Sequence, residues 1–486
     1  MIDASPNQAS SGRDLNITVI GLGYVGLVTA ACLAEWGHRV TGVDADETRL
    51  TALRGGNTPF HEPGLESLAN SMLESGRLQL ANQAAEAVRH ADIVILAVGT
   101  HDGNGGWQTK TMLGCLEAVV PHLGEGTVIV IRSTLPPDFV GQLGEIVDEL
   151  RPPEMGHVSV LLNPEFTREG RALEDFRNPS RVVLGVANDH DGRGRELLIS
   201  LYQAAEAPVV VMSAVEACLA KLGSNLFLAT KITFANEMAA LCDAFGGTID
   251  PVVSAIGLDP RVAPSFLGAG IGFGGSCLPH QVSMISRIAE SGGVSTPLFA
   301  AVDEINHRQR SRFVDLIAEM LDGRLRESRI ALLGLAFKPD TDDIRDAPSI
   351  AIARSLIDAG ADVVAFDPMP AARSAASAAL PGLYVADTVG AALRGADAVA
   401  LVTEWPELVN LDWADARQHV RRPIVVDGRN ALDHGAVLRA GFRYAAFGRG
   451  RSIPVPLVME RSESHHPMAV GAEDMRGNLE KSLPGH

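Results

Sequence analysis

Short β-rich apolar runs alternate along this chain with segments of helical period. Asn16-Ile-Thr-Val-Ile20 enters Gly21-Leu-Gly-Tyr-Val-Gly26, and Leu27 to Trp36 carries a helical pattern closed by Gly37. That order predicts strand, glycine turn and helix. Arg39-Val-Thr-Gly-Val43 followed by Asp44, Asp92-Ile-Val-Ile-Leu-Ala-Val98 and Thr127-Val-Ile-Val-Ile131 read as further strands, with helical segments between them. The alternation predicts a parallel, doubly wound α/β sheet. The same grammar returns later in Arg329-Ile-Ala-Leu-Leu-Gly334, a helix from about Ser349 to Ala359, Asp362-Val-Val-Ala-Phe-Asp367, and Ile424-Val-Val-Asp-Gly428. Gly395-Ala-Asp-Ala-Val-Ala-Leu-Val402 closely repeats His90-Ala-Asp-Ile-Val-Ile-Leu-Ala97.

Between the two regions, Ala214 to Leu241 reads as one long helix, and Pro251 to about Met320 as helical apart from Gly268-Ala-Gly-Ile-Gly-Phe-Gly-Gly275. Two Rossmann-like doubly wound parallel-sheet domains joined by a long central helix and a helical middle domain are therefore expected. The expected division is a tail at 1–13, a dinucleotide-binding domain at 14–210, a helical domain at 211–320, a second Rossmann-like domain at 321–454, and a polar, aperiodic tail at 455–486.

A length of 486 residues fits two to four domains at about 100–200 residues each. With 41 basic and 59 acidic residues the net charge is −18, and no block of Lys and Arg could track a phosphate backbone, so nucleic acid is not expected as a partner. Leu15 to Ala34 carries no charge, but its three glycines and turn argue for a buried strand, turn and helix rather than a membrane span. The first fourteen residues lack a basic start and apolar core, so a cytoplasmic protein is expected. Five widely spaced cysteines without a C-x-x-C pair fit a reducing compartment, and the 14 histidines show no metal-ligand spacing.

Gly21, Gly23 and Gly26 have the right context for a dinucleotide fingerprint: a strand before, a helix after, and Asp44 roughly 20 residues on. Gly21 allows the tight turn, Gly23 the approach of a pyrophosphate, and Gly26 the packing of helix on strand, while Asp44 would accept the ribose hydroxyls. A carboxylate repels a 2′-phosphate and Ala45 supplies no cation, so NAD rather than NADP is expected. The later domain lacks the fingerprint and is not expected to hold a dinucleotide in this way.

Lys221, Asn225 and Asn236 fall on one polar stripe of the long helix, which faces either a site or a polar interface. Cys277 ends Gly274-Gly-Ser-Cys277, where small neighbours leave a sulfur accessible to act as a nucleophile; an incidental loop cysteine fits equally. Asn163-Pro-Glu-Phe-Thr-Arg-Glu-Gly170 sets Glu165 and Glu169 beside a proline turn, open to general base work.

These motifs together resemble the UDP-glucose/GDP-mannose dehydrogenases, over about residues 16–450. The likeness rests on Gly21–Gly26, Pro59-Phe-His-Glu-Pro-Gly64, Ser133-Thr-Leu-Pro136, Asn163-Pro-Glu-Phe166, Lys221 with Asn225, Gly274–Cys277, Gly334-Leu-Ala-Phe-Lys-Pro-Asp-Thr-Asp-Asp-Ile-Arg345, Thr403-Glu-Trp405 and Asp427-Gly-Arg429. It implies oxidation of the C6 alcohol of a nucleotide sugar to a uronate, by two hydride transfers to two NAD molecules through a Cys277 thioester. Lys221 and Asn225 would stabilise the oxyanion at C6, Thr134 and Glu165 would position or activate water, and Glu165 would be the hydrolytic base. The cofactor would meet Gly21, Gly23, Tyr24, Val25, Gly26, Asp44, Arg49, Thr100, Ser133, Thr134, Glu169 and Arg345. The substrate would meet Glu165, Phe166, Arg168, Glu169, Lys221, Asn225, Phe273, Gly274, Phe337, Lys338 and Arg429, with Arg261 reaching the neighbouring subunit's site in a homodimer built on the long helix.

The chain departs from the family pattern after the cysteine. Leu278-Pro-His-Gln281 carries His280 where the family has Lys and Gln281 where it has Asp, and Val98-Gly-Thr-His101 carries His101 in place of Pro. Glutamine takes no proton and does not offset the charge of Lys221. Binding and the first oxidation are expected to survive, with release of the acid slowed or left to Glu165; an aldehyde-producing or silent nucleotide-sugar binder is the alternative. UDP-glucose is favoured, with GDP-mannose and TDP-glucose as the other substrates.

Overall fold

A computed structural model describes residues 14–101 and 106–452; the tails expected at 1–13 and 455–486 lie outside these residues. Branched apolar residues form the strands of the first sheet: β1 Asn16–Ile20, β2 Arg39–Val43, β3 Leu78–Ala81, β4 Ile93–Leu96, β5 Val128–Ile131, β6 Ser159–Leu162, β7 Val182–Asn188 and β8 Val209–Ser213. Their order is β3-β2-β1-β4-β5-β6-β7-β8. All pairs are parallel except β6 with β7, so the sheet is not wholly parallel as expected. All four residues of β4 and of β5 are buried, as a sheet covered by helices on both faces requires.

The second sheet contains β9 Arg329–Leu333, β10 Asp362–Phe366, β11 Tyr384–Val385, β12 Ala398–Leu401, β13 Ile424–Asp427, β14 Arg443–Ala446 and β15 Arg451–Ser452, in the order β11-β10-β9-β12-β13-β14-β15. Here only the β14–β15 pair is antiparallel. The repeated Ala-Asp motif has the same task in both sheets. Asp92 accepts a 2.9 Å hydrogen bond from the backbone N–H of Asn16, and Asp397 accepts one of 2.9 Å from that of Arg329, each pinning the start of its sheet's first strand.

The long central helix runs Ala214–Phe245 and extends past the expected Leu241 to Gly246, a left-handed cap at φ 75°. Ser213 and Glu216 begin it with reciprocal side-chain and backbone hydrogen bonds, satisfying donors that a helix start leaves open. Gly185 of β7 seats it on the first sheet: an added Cβ would lie 2.6 Å from the Ala217 Cβ and 2.8 Å from the Ala214 Cα. A Gly185→Ala change would push off the helix that carries Lys221, an overpacking cost of about 1–3 kcal/mol. Past this helix, the helical middle region comprises Ile249–Gly257, Leu278–Ser291 and Pro297–Met320. No helix among the described residues is long and apolar enough to cross a membrane.

Candidate active site

Each fingerprint glycine has its own steric reason. Gly21 lies at φ +91°, and a Cβ there would sit 2.7 Å from the Ala97 carbonyl oxygen; a Cβ on Gly26 would fall on the carbonyl oxygen of Gly21. Nothing lies within 4 Å of a Cβ built on Gly23, which faces open space. Gly23 is also the N-cap of Tyr24–Glu35, and no side chain caps that helix, so its first N–H groups are left for a ligand. Asp44, just past β2, accepts from the Leu22 N–H (2.7 Å), the Asp46 N–H (2.9 Å) and Arg49 (2.8 Å). Burial alone would raise its pKa, but these donors hold it below the usual carboxylate range. Open turn, uncapped helix and ionised acid fit NAD. Val25 continues the turn into the helix. Along the same sheet edge, Thr100 donates to the Thr134 carbonyl (2.7 Å) and Ser133 to that of Val98 (2.7 Å), tying the loops after β4 and β5 together.

The expected chemical residues converge from three regions. Lys221, buried on the central helix, donates to both the carbonyl (2.6 Å) and the carboxylate (2.9 Å) of Glu165. The other Glu165 oxygen accepts from the Thr167 N–H (2.7 Å) and hydroxyl (2.6 Å). Burial, the largest single influence, favours a neutral acid, but the Lys221 charge together with the hydrogen bonds from Lys221 and Thr167 outweighs it and lowers the Glu165 pKa. One turn along the helix, Asn225 donates 2.9 Å to the buried Gln281 side chain, so the substituted position faces the site. Cys277, exposed to the cleft, is the N-cap of Leu278–Ser291. Desolvation by the surrounding walls, then the Glu165 carboxylate, push its thiol up; Lys221 and the Ser276 hydroxyl pull it down. The helix start favours the thiolate as well. A cavity of about 710 Å³ joins Cys277, Lys221, Asn225, Phe166, Glu169 and Lys338.

The second sheet closes that cavity. A Cβ on Gly274 would lie 2.6 Å from the Asp346 carbonyl oxygen, and one on Gly275 (φ +86°) 2.7 Å from the Phe337 ring, so the two loops meet at van der Waals contact. Buried amides hold the glycine-rich chain: Asn236 accepts from the Gly270 N–H (2.8 Å), Asn306 accepts from the Phe273 N–H (2.8 Å), and Gln309 donates to the Gly270 carbonyl (2.7 Å). The polar stripe thus splits, with Lys221 and Asn225 at the cavity and Asn236 holding backbone. Lys338 donates to the Glu169 carbonyl across the domains. Glu169 approaches Ser276 (3.5 Å), Thr341 (3.4 Å) and Arg345 (3.7 Å); burial, then Asp343, raise its pKa to about 7.

Other expected residues stand apart from the cysteine cavity or are already engaged. Thr134 is absent from the residues lining it. Arg168 forms a two-pronged pair with Asp175 (2.6 and 2.9 Å) at the cavity rim. Arg345 is paired with Asp343 at 2.7 Å. Arg429 donates to the carbonyls of Val402 (2.6 Å), Gly272 (3.0 Å) and Phe337 (3.0 Å), fastening the glycine-rich loop to the second sheet. Arg261 is exposed and pairs with Asp259 at 2.5 Å, outside this chain's cavity. The two histidine departures meet: the His101 and His280 rings are 3.7 Å apart, with Trp107 at 5.1 Å from the former. Sequence reasoning missed Thr167, whose hydroxyl anchors Glu165, and Arg181, stacked 3.8 Å over Phe166. It also missed the buried Glu62. The quoted Pro59–Gly64 motif was the one signal for Glu62.

Family models for the UDP-glucose/GDP-mannose dehydrogenase family match in three consecutive parts: the NAD binding domain at residues 15–206, the central domain at 215–308 and the UDP binding domain at 331–434. The chain is 39% identical over 445 residues to a UDP-glucose 6-dehydrogenase of Pseudomonas aeruginosa, covering 90% of this chain and 98% of the relative. It is 38% identical to one of Rhizobium meliloti, covering 90% and 100%. Among solved structures, a UDP-glucose dehydrogenase from Pyrobaculum islandicum superposes with a TM-score of 0.80 at 38% identity, covering 88% of this chain and 96% of that one. The glycine turn, the lysine–cysteine cavity and the second sheet thus belong to one architecture, and the chain is a member of the UDP-glucose/GDP-mannose dehydrogenase family, an NAD-dependent nucleotide-sugar dehydrogenase.

Proposed function

We propose that this chain oxidises the C6 hydroxymethyl group of UDP-glucose to the carboxylate, giving UDP-glucuronate. The observation that carries the reading is the single cavity holding Cys277, Lys221 and Asn225 between the two sheets. The names of the relatives favour UDP-glucose as the sugar. We divide the work among residues 14–210 for NAD, 211–320 for the central and pairing region, and 321–454 for the nucleotide.

Gly21, Gly23, Gly26 and Asp44 would hold NAD, which when bound would supply the hydride acceptor for the two oxidations. Lys221 and Asn225 hydrogen-bond the C6 oxygen as negative charge develops on it, the interaction that lowers the barrier. Cys277 thiolate adds to the C6 aldehyde, and the second oxidation of that adduct leaves a thioester. Water then breaks the C–S bond and returns the thiol. The balance is one alcohol, two NAD and one water giving one carboxylate, two NADH and three protons. Glu165 serves the water, and Thr134, off the wall of the cysteine cavity, is left to the cofactor side. While Lys221 is bound to Glu165 the carboxylate is a weak base; as Lys221 turns to the C6 oxyanion, that hold is shared and Glu165 becomes a better proton acceptor. Phe337, Phe273 and Lys338 take the nucleotide sugar at the mouth of the second sheet.

The pairing surface is the outer face of the central helix, where Leu219, Phe227, Phe234, Leu241 and Phe245 are exposed in one stripe, at spacings of eight, seven, seven and four residues. A homodimer covers this stripe and brings Arg261 toward the neighbouring site; light scattering at twice the chain mass supports this, and a monomer refutes it. Five unpaired thiols suit the cytoplasm.

The functional test is NADH formed per nucleotide sugar consumed, with UDP-glucose, TDP-glucose and GDP-mannose offered separately. Two NADH and UDP-glucuronate are expected, and Cys277→Ala is expected to abolish uronate formation. No turnover of UDP-glucose overturns the substrate; one NADH with bound thioester or free aldehyde favours the alternative, for which the burial of Gln281 against Asn225 in place of an acid is the motive.

A further inference from the structure

The motif Pro59-Phe-His-Glu-Pro-Gly64 lies in neither the glycine turn nor the cysteine cavity, yet it binds three parts of the molecule together. Glu62 is only 4% exposed. One carboxylate oxygen accepts from the Ala172 N–H at 2.7 Å, and the other accepts from the Gly170 N–H at 2.6 Å and from the Tyr24 hydroxyl. Tyr24 is the first residue of the helix whose start would take the cofactor diphosphate, and its ring packs 4.9 Å from that of Phe60. Burial and the neighbouring Glu62 raise the Tyr24 pKa, keeping the phenol a donor.

At its other end this chain of hydrogen bonds reaches the segment that carries Glu165, Thr167 and Glu169. Gly170, at φ +80°, meets the second sheet's loop so closely that an added Cβ would lie 2.8 Å from the Asp340 Cβ. The His61 N–H donates 3.2 Å to Asp342 in the same loop, and Lys338 reaches back to the Glu169 carbonyl. A shift of Tyr24 is therefore transmitted through one buried carboxylate to the walls of the nucleotide-sugar cavity. The neutral phenol and the two backbone N–H groups leave the carboxylate little freedom to move alone.

We propose that Glu62 and Tyr24 form a positioning relay that couples occupancy of the dinucleotide turn to the nucleotide-sugar cavity, so that each ligand tightens the other. Neither residue touches the reacting atoms in this role. Coupling of this kind is reciprocal between the two ligands. The inference rests on the functional reading above and deepens it.

Calorimetry on the full-length chain, with UDP as the probe in the presence and absence of saturating NADH, tests the relay. In the parent protein NADH is expected to tighten UDP at least about fivefold, roughly 1 kcal/mol of coupling. Tyr24→Phe keeps the ring against Phe60 and removes only the hydroxyl; with NADH raised until it saturates the variant, it is expected to bring the coupling below twofold while UDP affinity without NADH stays near the parent value, whatever the lost hydroxyl costs in melting temperature. Glu62→Gln is expected to lose the coupling too, and if it fails to fold, Tyr24→Phe decides. A loss of stability alone does not change the ratio of two affinities measured on folded protein. Binding of both ligands to the parent without coupling overturns the relay alone, as does parental coupling in Tyr24→Phe. A parent that binds neither ligand overturns the functional reading and the relay with it.

Discussion

The two sheets share one strand order across their first six strands, β3-β2-β1-β4-β5-β6 and β11-β10-β9-β12-β13-β14, yet differ in what their first turns hold. Gly334 at φ +98° turns the chain after β9 much as Gly21 at φ +91° turns it after β1. Beyond that glycine the two part. The position of Gly23 is Ala336, fully buried, and that of Gly26 is Pro339. The helix that starts at Tyr24 in the first half is delayed to Pro348 in the second, so no helix N-terminus stands at the second turn. Asp367, where Asp44 would be, is sealed: it accepts from the backbone of Leu335 (2.6 Å), Ala336 (3.0 Å) and Met369 (2.8 Å) and from the Trp405 indole (3.1 Å). Topology supplies a crevice at the ends of the strands; a few side chains after the first strand decide what enters it.

The largest break of this asymmetry is expected at Gly26. Gly26→Ala would set a methyl on the Gly21 carbonyl, and NADH affinity is expected to fall at least about 1,000-fold, roughly 4 kcal/mol. Ala336→Gly in the second turn should leave it within twofold; calorimetry with NADH and with UDP reads both.

The paired acids give the next effect. Asp44→Ala is expected to raise KM for NAD by about 10–100-fold, whereas Asp367→Ala is expected to spare that KM; both remove an acceptor from buried donors, and Asp367→Ala, which strips four of them, is expected to cost about 2–4 kcal/mol in denaturant unfolding. An equal effect of both on KM would erase the distinction between the halves.

Gln281→Asp probes the middle region that serves both halves. An acid beside Asn225 is expected to speed release of uronate about tenfold and to remove any thioester burst in stopped-flow and mass spectrometry. An unchanged rate would show that Glu165 already suffices.

The smallest effect concerns Glu169, an acid of the first half whose neighbours Asp343, Arg345 and Lys338 come from the second. Its pKa in the folded protein, about 7, lies above the usual value of 4.5, so between these values the folded chain holds a proton that the unfolded chain has lost. This contribution is full below about 4.5 and fades as the pH rises through 7, with a slope of about 1 kcal/mol per pH unit near pH 5.5–6.5. Glu169→Gln should flatten that slope in urea melts taken across the range.

Much of the frame was legible in the residues. Strand alternation, the glycine turn with Asp44, the repeated Ala-Asp motif and the long helix each have a local pattern, because a strand's burial and a turn's φ leave period and glycine in the sequence. The reversal at β6–β7 left no such trace, since an apolar run has the same composition in either direction. Glu62 was hidden for another reason. A lone acid between Pro59 and Gly64 resembles many surface turns, and only the fold brings Tyr24, Gly170 and Ala172 to it. Arg429 has the chemistry of an anion ligand, and only the fold shows three of its five N–H groups fastened to backbone carbonyls with Glu404 alongside.

By itself the sequence determined most of the element types and the placing of the dinucleotide turn, and it named the candidates for the chemistry, all of which depend on neighbours within a few residues. Only the tertiary structure decided which of those groups share a cavity, which acid stays ionised beside Lys221, which acid is lifted toward neutrality, and how Cys277 stands between two sheets. These properties depend on desolvation and on charges brought close from far along the chain, and a linear order of residues does not contain the distances on which both depend.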